Sequence, residues 1–200
     1  MAGKNENELT KMLHYYGAFV TKQEDKRFCP NCGREVYKPR ESSEDGGQIK
    51  ASKVDYLVQI KERATWIEVK WGKDSFQFAD KGMGLHQNQR LWMDYWELWG
   101  VPCWLFLGVG PGPAPAHRHT WLIPWTQWLR IEAPTVELAM KSIPYKPTVR
   151  LISKTMNCIS LFAPWVLKWE KSIGWTIPEN HDFAKSYPEI FGLPVLFPKE

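Results

Sequence analysis

Residues 53–71, KVDYLVQIKERATWIEVKW, decide how the chain is read. Two short apolar runs, residues 54–60 and 65–71, flank the polar residues 61–64. β-branched and aromatic side chains dominate both runs and suit a pleated, half-buried surface, so the stretch predicts a β-hairpin. A turn centred on Glu62-Arg63 sets Asp55 opposite Lys70 and Leu57 opposite Glu68. Side chains along a strand alternate, which puts Glu68 and Lys70 on one face and Ile67, Val69 and Trp71 on the other. Asp55 is then diagonal to Glu68, about 5–8 Å away.

Two carboxylates and an ammonium converging in this way suit one kind of chemistry. Carboxylate oxygens from Asp55 and Glu68, with the backbone carbonyl of Val69, can hold a hard divalent cation such as Mg²⁺ or Mn²⁺. Such a cation polarises a phosphoryl oxygen and acidifies a bound water. A neighbouring lysine orients that water or stabilises the developing charge. The plain alternative is a surface hairpin with a cross-strand Asp–Lys ion pair, a common and weakly stabilising arrangement.

The flanking segments add to the motif. Asp55, twelve intervening residues, then Glu68-Val69-Lys70 resembles the PD-(D/E)xK nuclease superfamily, with Val54 where proline often stands. Within it, the chain is most similar to the archaeal-type Holliday-junction resolvases. Their pattern has an early glutamate on an N-terminal helix that ends at glycine, then a strand, then V-D-hydrophobic and I-E-V-K strands. Here these are Glu6-Asn7-Glu8-Leu9, Gly17-Ala18-Phe19-Val20, Lys53-Val54-Asp55 and Ile67-Glu68-Val69-Lys70. The resemblance spans about the first 110 residues. It implies an α/β, restriction-endonuclease-like core of helix, three strands, helix and strand around a mixed sheet. It also implies a Mg²⁺-dependent endonuclease, a homodimer, prokaryotic or phage-encoded, with Asp55, Glu68, Lys70 and an N-terminal glutamate in the site.

Composition sets outer limits. Two hundred residues, 44% of them apolar, suffice for one elaborated domain or two small ones. A net charge of +4 is mildly basic and compatible with nucleic acid without being diagnostic. No run of eighteen apolar residues occurs, so no membrane partnership is expected. The N-terminus MAGKNENEL lacks an apolar leader segment, and four cysteines without one suggest a reducing, cytoplasmic setting.

Taken in order, residues 4–16 predict an amphipathic helix with Leu9, Met12, Leu13 and Tyr16 as its apolar stripe and Gly17 as its C-cap. Glu6 leans toward the buried face and is preferred over Glu8 as a third metal-site carboxylate. Both also suit a helix N-terminus electrostatically. Residues 18–22 predict a strand. An insertion over 23–52 carries Cys29-Pro30-Asn31-Cys32-Gly33, shaped like half of a zinc site. Without a second CxxC it is equally a tight turn, so structural Zn²⁺ on Cys29 and Cys32 needs outside ligands. Cys103 and Cys158 look like ordinary buried cysteines.

Residues 85–99 predict a helix closed by Gly100. The row Gln87, Leu91, Tyr95 and Leu98 is assigned to its sheet-facing side, which brings Gln87 to the site. Gln89 on the neighbouring row is the alternative, and a merely capping glutamine is a third reading. The apolar run 101–109 predicts a central strand covered on both faces. Residues 110–116 form a breaker-rich boundary. Beyond it lie a strand over 119–124, a turn or short helix to 131, a short helix over 134–142, and a Trp/Pro-rich tail from 164 expected to pack irregularly. His117 and His119 read as a solvent-exposed pair. On this reading residues 1–110 are the nuclease core, and 111–200 are an extension on the core or on a dimer partner.

The expected activity is that of a structure-selective DNA endonuclease acting on branched DNA, with Asp55, Glu68 and Glu6 on the metal, Lys70 at the water and Gln87 orienting. The alternatives are a nuclease of the same superfamily acting on ends, flaps or restriction sites, and a non-catalytic nucleic-acid-binding module. The intact Asp55/Glu68/Lys70 set argues against the last.

Overall fold

A computed structural model describes residues 2–23, 54–72, 85, 87–110, 119–131 and 162–191. The chain is α/β, with a five-stranded mixed sheet whose order follows the sequence. Helix α1 (Ala2–Tyr15) leads through Gly17 into β1 (Phe19–Lys22). The φ of +73° at Gly17 is the left-handed conformation that lets glycine end a helix. β2 (Tyr56–Ile60) and β3 (Arg63–Gly72) form the hairpin. Helix α2 (Gln87–Leu98) then carries the chain to β4 (Cys103–Val109), which lies parallel to β3. A parallel neighbour requires such a crossover, because a tight turn returns only an antiparallel strand. β5 (His119–Pro124) completes the sheet, antiparallel to β4, and residues 125–131 continue as helix α3.

The hairpin register differs from the expectation. The ladder runs Tyr56↔Ile67 to Ile60↔Arg63, so the turn is Lys61-Glu62 rather than Glu62-Arg63, and Leu57 faces Trp66 rather than Glu68. Asp55 lies just before β2. Continued by one step, the register sets it opposite Glu68 and not opposite Lys70. The cause is local. Lys61 adopts φ 53°, as a two-residue hairpin demands at its first loop position, although lysine disfavours it.

Every residue of β4 is buried, as a strand covered on both faces must be. On one face Leu9, Met12 and Leu13 of α1 pack with Val58, Ile67, Trp104 and Phe106. On the other, Met93 of α2 and Trp125 and Trp128 of α3 pack with Trp66, Leu105 and Leu107. Residues 164–191 are more regular than the irregular packing expected of the tail. They form the small hairpin β6 (Lys168–Glu170) and β7 (Gly174–Thr176) and helix α4 (Asp182–Ser186). Trp175, Ile177, Phe183 and Tyr187 join the α1-side core. His181 caps α4, its Nδ1 accepting from Phe183 N–H at 3.0 Å. Its Nε2 lies 3.1 Å from the Trp165 carbonyl. Residues 134–142, also assigned to a helix, lie outside the described residues. Among the described residues no helix is long and apolar enough to cross a membrane.

Relieving the backbone at Lys61 is expected to stabilise the chain. A side chain in the left-handed region costs about 1–2 kcal/mol, and glycine gives back about 0.5–1 kcal/mol in unfolded-state entropy. Lys61→Gly should therefore raise unfolding free energy by about 0.5–1 kcal/mol, read from urea midpoints, with no change in slope.

Candidate active site

The site lies where β2 begins and β3 nears its end. Glu68, on the α2 side of the sheet, has no solvent exposure. A buried carboxylate survives only if hydrogen-bonded, and among the described residues three donors reach it. Asp55 N–H donates to Oε2 at 3.2 Å. The Lys70 ammonium lies 2.7 Å from Oε1. The Gln89 amide also donates to Oε1. Asp55 returns the contact to β3, its Oδ2 accepting from Val69 N–H at 2.9 Å. This reciprocal clasp replaces the ladder pairing that would otherwise continue β2. It holds the Asp55 carboxylate near the sheet plane, with Glu68 toward one face and Glu6 toward the other.

The electrostatics follow from this crowding. Burial, reinforced by the Asp55 charge, pushes the Glu68 carboxyl up to about 8 despite Lys70. Asp55 is raised as well, mainly by burial and further by Glu6, with the Val69 N–H and Lys70 opposing. Burial disfavours both ionised carboxylates, Asp55 adds to the burden on Glu68 and Glu6 to that on Asp55, and a cation would offset all of these charges. In a strand the N–H and C=O of one residue project toward the same neighbour, so the Val69 carbonyl points to the Asp55 side with its N–H. Asp55, Glu68 and that carbonyl are thus a donor set that fits Mg²⁺ or Mn²⁺. Among the described residues no three His, Cys, Asp or Glu side chains form a ready cage. The fit therefore rests on two carboxylates, with Glu6 at the rim.

Asp55, Glu68 and Lys70 are brought together; Gln87 is not shown to join them. It opens α2, and its side chain lies outside the described residues. Gln89 makes the contact, at 6% exposure. The row assigned to the sheet is the wrong one: Leu91, Tyr95 and Leu98 are exposed. Instead Trp92 and Trp96 turn inward onto Trp66, with ring centroids 5.5 and 5.7 Å away. Two apolar rows compete on this helix, and the one with two indoles buries more area. The i, i+3, i+4, i+7 spacing of Gln89, Trp92, Met93 and Trp96 was the signal available.

Glu6 and Glu8 separate cleanly. Glu8 Oε2 accepts from the Trp175 indole at 3.0 Å, tying α1 to β7. Glu6 pairs with Lys22 of β1 beside the Asp55 strand end. Lys22 did not figure among the expected site residues. Its signal was position, at the end of the strand that pairs with the one following Asp55. Cys29, Cys32, Cys158 and His117 lie outside the described residues. Cys103 is buried, and His119 stacks on Trp121 with centroids 5.9 Å apart. Comparison with known proteins gives no matching family model and no match among curated proteins.

The raised Glu68 pKa has a definite sign in stability. The folded chain holds this proton more tightly than the unfolded chain. The contribution is therefore complete below about pH 4.5 and is lost as pH climbs through about 8. Asp55→Asn keeps an acceptor for Val69 N–H and removes the repelling charge. In EDTA it should be more stable than the native chain at pH 8, by on the order of 1 kcal/mol, with the gap closing toward pH 5. Mg²⁺ at a hundred times its dissociation constant should stabilise the native chain by about 2.7 kcal/mol and the variant by much less. Urea titrations at pH 5 and 8, with and without Mg²⁺, read both effects; equal midpoints for the two chains at pH 8 would show that the charges do not oppose one another.

Proposed function

We propose that this chain is a metal-dependent DNA endonuclease of the PD-(D/E)xK type, with a restriction-endonuclease-like fold. Among such enzymes it is most like the archaeal-type Holliday-junction resolvases. The observation that carries the reading is the convergence of Asp55, Glu68 and Lys70 at the open end of one hairpin: Asp55 N–H donates to Glu68, the Asp55 carboxylate accepts from Val69 N–H, and the Lys70 ammonium lies against Glu68. Support comes also from the mixed α/β sheet and from the burial that disfavours both ionised carboxylates, which a cation relieves.

In this reading Asp55, Glu68 and the Val69 carbonyl hold Mg²⁺ or Mn²⁺, with Glu6 assisting from α1. When bound, the cation polarises a phosphoryl oxygen and acidifies a water. Lys70, at 15% side-chain exposure, keeps its ammonium at the boundary between Glu68 and solvent. There it orients the attacking water and stabilises charge developing on the scissile phosphate. Gln89 fixes the rotamer of Glu68 by donating to Oε1, the oxygen that also meets Lys70. Hydrolysis leaves 5′-phosphate and 3′-hydroxyl ends. Cutting a four-way junction on two strands needs two such sites related by a two-fold axis, so the reading includes a homodimer on branched DNA.

The test compares a labelled four-way junction with a matched linear duplex in Mg²⁺. The native chain should cut the junction symmetrically. Asp55→Asn should abolish cutting, and Lys70→Met should slow it by at least about 10²–10³-fold while junction binding persists. Cutting of the linear duplex at the same rate would move the substrate to ends, flaps or restriction sites. Binding without cutting by the native chain would sink the nuclease reading in favour of a binding module.

A further inference from the structure

Among the described residues two lysines flank the carboxylates, and they sit at different depths. Lys70 pairs with a carboxylate that has no exposure and is itself largely covered. Lys22 pairs with Glu6 at the rim, its side chain 51% exposed and that of Glu6 20% exposed. Lys22 faces Tyr56 in the β1–β2 register. The next residue, Gln23, donates its N–H to the Asp55 carbonyl at 2.8 Å. The Glu6–Lys22 pair therefore abuts the strand end that carries Asp55. Both members act on Asp55 electrostatically, Glu6 repelling its negative charge and Lys22 favouring it.

We propose that Lys22 is a phosphate-binding positioning residue that holds Glu6 in the DNA-free chain and releases it to the metal site when a DNA phosphate takes the ammonium. This rests on the nuclease reading and names the contact through which substrate completes that site. A partly exposed Lys–Glu pair contributes only about 0–1 kcal/mol, so it exchanges readily. A DNA phosphate is a strong competitor, because each phosphate neutralised releases condensed counterions. The Lys70–Glu68 pair is no candidate for exchange, since it would leave a carboxyl group with no solvent exposure short of a hydrogen-bond partner. The depth difference thus sorts the lysines: Lys70 stays with the reacting groups, and Lys22 is available to the backbone of the strand being cut. Before DNA arrives, Lys22 also offsets the Glu6 charge that acts on Asp55 from the rim.

The experiment uses the full chain with Lys22→Met, Lys22→Arg and Glu6→Gln. Mg²⁺ binding without DNA is measured by calorimetry. Binding of a labelled four-way junction is measured in Ca²⁺ over a range of salt. Lys22→Met should bind Mg²⁺ several-fold tighter, because Glu6 loses the ammonium that competes for it and keeps only the weaker hydroxyl contact of Tyr56 among the contacts described, and this gain should vanish in the Lys22→Met/Glu6→Gln double variant. The same Lys22→Met change should weaken junction binding and lower the slope of log affinity against log salt by about one, with Lys22→Arg restoring it. A merely structural pair would move neither the Mg²⁺ affinity upward nor the salt slope, and that result overturns the proposal. Failure of the native chain itself to bind Mg²⁺ and DNA would overturn the nuclease reading and this inference with it; the two failures are separated by whether they occur in the native chain.

Discussion

A carboxylate with no solvent exposure must find compensation inside the protein, and Glu68 finds it from three elements. Asp55 N–H comes from the start of β2, Lys70 from Glu68's own strand and Gln89 from α2. Each contact constrains the element that makes it. Lys70 and Glu68 must share a face, so β3 stays regular between them. Asp55 must turn its backbone toward β3, which fixes where β2 begins. Gln89 must point inward, which sets the rotation of α2 about its axis. The parallel pairing of β3 with β4 follows from the same crossover, so the helix that completes the carboxylate's shell also closes the sheet.

The arrangement satisfies Glu68's hydrogen bonds without making its charge comfortable. Hydrogen bonds and one ammonium oppose burial and the adjacent Asp55, and they do not win. Sites that accept cations commonly hold such tension, because charges arranged to welcome a ligand repel one another in its absence. The surrounding core absorbs the cost. Leu105 and Leu107 of β4 and Trp66 of β3 pack on the same side of the sheet as Glu68, and each is buried.

Much of this was readable from the chain alone, and what was not has physical reasons. Alternation along residues 65–71 dictates that Glu68 and Lys70 share a face whatever the turn. The apolar run 101–109 announces a strand covered on both sides. The register was hidden because Lys61, a residue without turn signature, takes a glycine-like φ. The rotation of α2 was hidden because it carries two apolar rows, and only the packing of Trp66 decides between them. That choice is also why Gln89 was ranked second. The strands β6 and β7 have three residues each, too few for a period to declare itself. His181 caps through Phe183 N–H only two residues on, but the Trp165 carbonyl that its other ring nitrogen meets lies sixteen residues away and gives no local signal.

The inward row of α2 has an optical consequence. Trp66, Trp92 and Trp96 form a triangle with centroid separations of 5.5, 5.7 and 5.9 Å. Indoles this close share excitation, and their near-ultraviolet dichroism depends on mutual angle as well as on distance. Trp92 and Trp96 stand on the helix that carries Gln89, while Trp66 stands on the strand that carries Glu68. The trio thus works as an intrinsic chromophore coupled to the Gln89–Glu68 hydrogen bond, recording any tilt of α2 against β3 without an attached label.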